Sequence, residues 1–303
     1  MKQNNLEKKI RKLKEKRRAI ILAHNYQLPE VQDIADFLGD SLELSKKAAQ
    51  VDAKVIVFCG VHFMAETASI LCPDKKVIMP DITAGCPMAK MITAKKLRRL
   101  KTTYPEATVV GYVNTSAEVK AELDYCCTST NALAVMEALR DRSQIIFIPD
   151  KYLAHYVSQK IHKKLIVWDG YCPTHIKILP QDIKREKKLH PKSEIIVHPE
   201  CLPEVIEMAD AVLSTSKMCQ YVKSSKAKEF IVATEVGIIY RLKKENPNKE
   251  FYPATERAIC PNMKKITQEK ILWALEELKE EVKVKEEIRI RAIRPIENMF
   301  KVI

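Results

Sequence analysis

The sequence predicts an α/β protein built from three αβα three-layer units. These are related by a pseudo-threefold axis, with small parallel sheets around one central site. Three observations predict it. Short apolar runs such as Val55–Cys59 and Ile145–Ile148 alternate with helical segments along most of the chain. That alternation argues for parallel strands joined by right-handed crossovers. Cys-Pro steps recur at Cys86, Cys172 and Cys260, at nearly equal intervals. Polar markers also keep register: His24, Tyr112 and His198, then Tyr26, Asn114 and Glu200, then Ser41, Ser129 and Thr215 each step by 88 and 86 positions. Such self-similarity marks a repeated supersecondary unit.

The chain opens with Leu6, Ile10 and Leu13 at helical spacing among lysines, an amphipathic leader helix over 4–18. The first unit, residues 1–86, then reads strand 19–23, a helix from Pro29 through Phe37, a Gly39-Asp40-Ser41 turn, helix 42–51, strand 54–59, helix 64–71 and strand 76–79. The second, 87–172, reads helix 93–103, strand 108–111, helix 117–123, helix 131–139, strand 144–148, helix 153–161 and strand 164–168. The third, 173–261, reads helix 183–189, strand 194–197, helix 203–208, strand 211–213, a helix near Lys217, strand 230–233, helix 238–244 and strand 250–252. After Cys260 a helical pattern runs from Thr267 to about Lys285, and Arg291–Phe300 reads as a basic tail. This segment, 262–303, has no counterpart in the repeats and is expected to pack on the first unit.

Composition narrows the function classes. Charged residues make up 30% of the chain and the net charge is +13, but Lys and Arg are spread along the chain and mixed with Glu. That pattern favours solvated helix faces and anionic small substrates over nucleic acid. No apolar run approaches a membrane span, and the charged N-terminus lacks the apolar core of a signal peptide. A cytoplasmic enzyme is expected. The nine cysteines are odd in number and include no CxxC pair, which argues against a disulfide framework and for buried thiols with a metal or cluster site.

Each closing Cys precedes Pro, a residue favoured at the first helical position, so the Cys reads as a cap whose thiolate the helix dipole favours. Cys72-Pro73 is out of register and reads as a helix stop. Three thiolates can hold zinc, although structural zinc takes four ligands. A 4Fe–4S cluster also takes four cysteines, and with three it keeps one iron open for Lewis-acid chemistry. Strand-end residues are where open parallel sheets bind ligands. That places His24, Tyr26, Tyr112, Asn114, His198 and Glu200 in the site, with His175 beside a cluster cysteine. Ser41, Ser129, Ser214 and Thr215 precede helices, where hydroxyls and free amides suit carboxylate or phosphate. Neither a dinucleotide fingerprint nor a P-loop is present.

The chain resembles the quinolinate synthase family over nearly its whole length. The resemblance rests on Ala23-His24-Asn25-Tyr26-Gln27, Gly39-Asp40-Ser41, Phe63-Met64-Ala65-Glu66, Cys86-Pro87-Met88-Ala89 and Tyr112-Val113-Asn114. It continues through Cys127-Thr128-Ser129, Cys172-Pro173-Thr174-His175, His198-Pro199-Glu200-Cys201, Ser214-Thr215, Thr234-Glu235-Val236-Gly237 and Cys260-Pro261-Asn262-Met263-Lys264. Lys217, after Ser214-Thr215, departs from the family pattern. The resemblance implies condensation of iminoaspartate with dihydroxyacetone phosphate to quinolinate, phosphate and water, a transferase step of de novo NAD biosynthesis. It implies one 4Fe–4S cluster per chain on Cys86, Cys172 and Cys260. The expected substrate-binding set is His24, Ser41, Tyr112, Val113, Asn114, Ser129, His175, His198, Pro199, Glu200, Ser214 and Thr215. Glu200 is expected as general base, with Tyr26, Tyr112 and His198 beside it in the chemistry. An aspartate-oxidising enzyme is the expected supplier of iminoaspartate, with no nucleic-acid or membrane partner. The rival readings are another iron–sulfur hydro-lyase acting on a small hydroxy acid, a non-catalytic iron–sulfur sensor, and a basic nucleic-acid-binding protein.

Overall fold

The computed structural model describes residues 2–302. A leader helix, α1 (Lys2–Arg17), precedes the first unit of β1 (Ala19–His24), α2 (Pro29–Ile34), β2 (Phe37–Gly39), α3 (Ser41–Gln50), β3 (Val55–Cys59), α4 (His62–Leu71) and β4 (Lys76–Ile78). The second is α5 (Ala94–Thr103), β5 (Thr108–Tyr112), α6 (Ala117–Lys120), β6 (Tyr125–Cys127), α7 (Ala132–Ala138), β7 (Ile145–Ile148), α8 (Lys151–Ile161) and β8 (Ile166–Val167). The third is α9 (Pro180–Leu189), β9 (Glu194–Val197), α10 (Pro203–Ile206), β10 (Ala211–Val212), α11 (Thr215–Ser224), β11 (Glu229–Ala233), α12 (Ile238–Glu245) and β12 (Glu250–Pro253). Helices α13 (Gln268–Glu277) and α14 (Glu286–Lys301) follow.

Among the described residues the strands form three four-stranded parallel sheets with one shared topology: β2-β1-β3-β4, β6-β5-β7-β8 and β10-β9-β11-β12. Central strands such as β3 and β7 are buried at every position, as expected where helices cover both faces of a parallel sheet. The chain leaves each first strand for one edge and then returns to its other side. The resulting switch point is where a crevice opens beyond the carboxyl ends.

Two edge strands depart from the sequence reading. Residues 37–39, expected as helix and turn, form β2, and 125–127, to which the sequence assigns no element, form β6. Strands of three residues are too short to show a period. Their register is set by an aspartate repeated in every unit. The carboxylates of Asp36, Asp124 and Asp210 accept the N–H of Ile21, Val109 and Ile195 at 2.8, 2.8 and 2.7 Å. The N–H of each aspartate returns a bond to the carbonyl of the same residue.

The C-terminal segment also differs from expectation. Helix α13 follows Cys260 as α5 follows Cys86 and α9 follows Cys172, so it does have repeat counterparts. It packs on α1 and β3, whereas α14 packs on β6, α6 and α4 and so reaches the second unit. Residues 291–300 are helical because Ala292, Ile296 and Met299 fall on one buried stripe, with Pro295 among them. Between the two helices, Val282 N–H bonds Val77 O at 2.8 Å and Met79 N–H bonds Glu280 O at 3.1 Å, covering the β4 edge.

Candidate active site

One cavity collects the strand ends of all three sheets. From β1, β5 and β9 come His24, Tyr26, Tyr112, Asn114, His198 and Glu200; Ser41 and Thr215 come from the first positions of α3 and α11, and Ser129 from the turn between β6 and α7. Cys86, Cys172, His175 and Cys260 line the same space. Val113, Pro199 and Ser214 do not line it, although all three are buried. Val113 and Pro199 sit between residues that face the cavity, and a strand-like backbone turns alternate side chains away. The Val113 main chain is also engaged, its N–H with Cys127 O and its carbonyl with Lys120. Ser214 Oγ caps α11 and accepts from Thr130 Oγ1 at 2.7 Å. Lys217 is exposed, and its N–H completes that cap.

His24 and His198 are built alike. Nδ1 of each accepts the N–H two residues on, from Tyr26 at 3.2 Å and Glu200 at 3.3 Å. The proton therefore sits on Nε2, and His198 Nε2 lies 3.3 Å from Ser129 Oγ. Burial pushes both rings down to about 3, helped at His24 by the charges of Lys264 and Arg241 and at His198 by His175, with Glu200 opposing in each case. Both are neutral hydrogen-bond donors at working pH.

Glu200 is buried with its Oε2 2.7 Å from His175 Nδ1, off the line of that ring N–H, and 4.0 Å from His198 Nδ1. Burial opposes its charge, but His175, with a smaller contribution from Tyr112, prevails and holds the carboxyl below the usual range. His175 stacks on His198 with centroids 4.6 Å apart, and its Nε2 contacts Thr234 Oγ1 at 2.8 Å. Thr234 in turn meets Tyr26 OH at 2.5 Å. Burial, then the Glu200 charge, pushes both Tyr26 and Tyr112 well up, so each keeps its phenolic proton.

The three cysteines occupy equivalent loops. The sequence reading made each a helix cap with a favoured thiolate. The loops instead run into three-residue 3-10 turns, Met88–Lys90, His175–Lys177 and Met263–Lys265, capped by Pro87, Thr174 and Asn262. So short a turn carries little dipole. Burial pushes Cys86 up to about 12 and raises Cys172 and Cys260. The N–H groups two and three residues on oppose this at each sulfur: Met88 and Ala89, Thr174 and His175, Asn262 and Met263. A thiolate here needs a cation beside it. Three partly buried thiols, each facing two amides across one cavity, form a donor set suited to a soft metal centre. A second grouping overlaps it: ligand atoms of Cys172, His175 and Glu200 lie within 4.8 Å of one another.

Two carboxylates behind the cysteines carried no role in the sequence reading. Glu235 is fully buried; its Oε1 accepts Cys260 N–H at 3.0 Å and its Oε2 accepts Gly237 N–H at 2.8 Å. Lys264 pairs with it at 3.0 Å and also donates to Tyr26 O at 2.5 Å. Asp150, equally placed two residues past a strand, is buried and caps α8, its Oδ1 accepting the N–H of Tyr152 and Leu153 at 2.9 and 2.8 Å. Their shared position after β7 and β11 was the available signal.

Comparison with known proteins adds an independent finding. Residues 8–301 match the family model described as Quinolinate synthetase A protein. A protein named quinolinate synthase from Dehalococcoides mccartyi (strain CBDB1) is 54% identical over 295 residues, covering 97% of each chain. One of the same name from Thermodesulfovibrio yellowstonii is 55% identical over 301 residues, 99% of each chain. Quinolinate synthase 1 from Methanosarcina acetivorans is 52% identical over 302 residues, all of this chain and 99% of the relative.

Proposed function

Because the chain belongs to the quinolinate synthase family, an enzyme family of NAD biosynthesis, we propose that its cavity condenses iminoaspartate with dihydroxyacetone phosphate. The observation that carries this reading is the convergence of three equivalent Cys-Pro loops and the strand ends of three equivalent sheets on one space. The three units, 1–86, 87–172 and 173–261, act as three domains around it.

Cys86, Cys172 and Cys260 hold a 4Fe–4S cluster. When bound with one iron free of protein ligands, it supplies a Lewis acid to a nitrogen, hydroxyl or carboxylate. The remaining work belongs to the chain's own groups. Ser41, Ser129 and Thr215, with the adjoining free amides, hold the carboxylates and phosphate. His24 and His198, fixed as neutral donors, orient oxygens that gain charge during isomerisation and dehydration. Asn114, Tyr26 and Tyr112 position the carbon skeleton, and Glu200 takes and returns protons. Its lowered pKa keeps it ionised and makes it a weak, always available base. The net charge of +13 draws in two anionic substrates.

No helix among the described residues is long and apolar enough to cross a membrane. The enzyme works in the cytoplasm, without nucleic acid, and takes iminoaspartate from an aspartate-oxidising enzyme. Product analysis with the two substrates tests the reaction; hydration or dehydration of a hydroxy acid with no quinolinate would replace it.

A second reading has its own observation. Cys172, His175 and Glu200 lie close enough to share a single metal ion. Cys86→Ser and Cys260→Ser separate the two: a cluster is lost with either, whereas a lone ion on the other three residues survives both.

A further inference from the structure

Lys120, on α6, is a fully buried cation. Its Nζ donates to Val113 O at 2.8 Å and to Thr115 O, with the Phe63 ring 5.5 Å away. The residue between those two carbonyls is Asn114, which lines the cavity. The buried Asn114 Oδ1 has no partner among the described residues.

The first unit repeats this arrangement 88 positions earlier with different chemistry. Gln32, on α2, is buried; its Nε2 donates to Gln27 O and to Gly237 O, both at 2.9 Å, and lies 3.4 Å from Asn25 O. The residue between the Asn25 and Gln27 carbonyls is Tyr26, which also lines the cavity. In the third unit the matching position is Ile206, which has no donor to offer. There Glu200 is held through its own side chain by His175 and Tyr112. The fold thus forms with an apolar residue at this place. Burying an ammonium costs several kcal/mol unless it is well paired; the nearby Glu66 carboxylate offsets part of that cost, and the protons of Lys120 go to the two carbonyls flanking Asn114.

We propose that Lys120 is a positioning residue for the reaction. It clamps the carbonyls on both sides of Asn114 and thereby aims the Asn114 amide at bound substrate; Gln32 plays the related part for Tyr26, tying the Gln27 carbonyl beside it to Gly237 O. The inference rests on reading the cavity as the substrate site. Misplacing a substrate-holding group by about 1 Å can cost roughly a hundredfold in rate, so a clamp on the backbone has leverage without touching substrate.

The test is a double-mutant cycle on the holoenzyme purified without oxygen. It uses Lys120→Met, Asn114→Ala, the double variant and Lys120→Gln, read by steady-state kinetics with iron and sulfide content. Lys120→Met is expected to lower kcat/KM at least about tenfold with metal content unchanged. Lys120→Gln, which restores the donor used in the first unit, is expected to recover to within about threefold of wild type. In the Asn114→Ala background, Lys120→Met is expected to change kcat/KM by less than about threefold. An additive loss in the double variant overturns the clamp alone. A wild-type rate for Asn114→Ala overturns the reading of the site and the clamp with it. If Lys120→Met does not yield folded holoenzyme, Gln32→Leu with Tyr26→Phe carries the same cycle, and additivity there is equally fatal.

Discussion

Replacing Glu200 by Gln removes one buried negative charge and little else. Glu200→Gln keeps the side-chain volume, but the group 2.7 Å from His175 Nδ1 and bonded to Tyr112 is no longer a base. Loss of a positioned general base costs roughly 10²–10⁴ in rate. The carboxyl is held below the usual range, and a weaker base contributes less, so the expected loss lies at the low end, about a hundredfold. That corresponds to about 2.7 kcal/mol of barrier. Stability should fall with it, since a carboxyl held below its usual range is better accommodated charged in the fold than in the unfolded chain. The assay is quinolinate formation from iminoaspartate and dihydroxyacetone phosphate, with iron, sulfide and thermal midpoint measured on the same preparation. The expected result is kcat down about a hundredfold with cluster content retained and the thermal midpoint lowered. Turnover within about threefold of wild type would falsify the assignment of Glu200 as the base.

Three further outcomes follow from the same geometry. Cys172→Ala should remove the cluster, so iron and sulfide both fall towards zero in anaerobic preparations; a full complement of both would rule out Cys172 as a ligand. Asp124→Ala should cost about 1–3 kcal/mol, because the Val109 N–H is left without its acceptor; an unchanged denaturation midpoint would show that the repeated aspartate is dispensable. His24 and His198, held near 3 in the fold, bind fewer protons folded than unfolded between pH 3 and 6.5. Stability therefore rises with pH across that window and is lost on acidification, by about 2 kcal/mol per ring at pH 5 relative to pH 7. Denaturation at the two pH values checks this, and His198→Gln should flatten the slope.

The architecture was legible because its signals are local and repeated. Apolar runs marked β3 and β7, and polar residues in register marked the strand ends. The Cys-Pro steps marked three equivalent loops. What escaped were elements too short to show a period, such as β2 and β6, and groups whose meaning depends on distant partners. Lys264 meets the carbonyl of Tyr26, 238 positions away, and Glu235 meets the amide of Cys260. The misreading of 291–300 as a tail has a different cause. Basic residues and Pro295 masked an apolar stripe that has value only once β6 and α6 are there to receive it. The caps at the cysteines were misjudged because burial, which sequence does not reveal, outweighs a short turn's amides.

The claim that everything else depends on is that three cysteines from three equivalent loops hold an iron–sulfur centre at which quinolinate is made. The direct measurement is iron and acid-labile sulfide per chain in protein purified without oxygen, made alongside quinolinate formation by the same sample. The account predicts a coloured protein with about four of each and activity that disappears as the iron is removed. A colourless, iron-free protein that makes quinolinate at the same rate contradicts it.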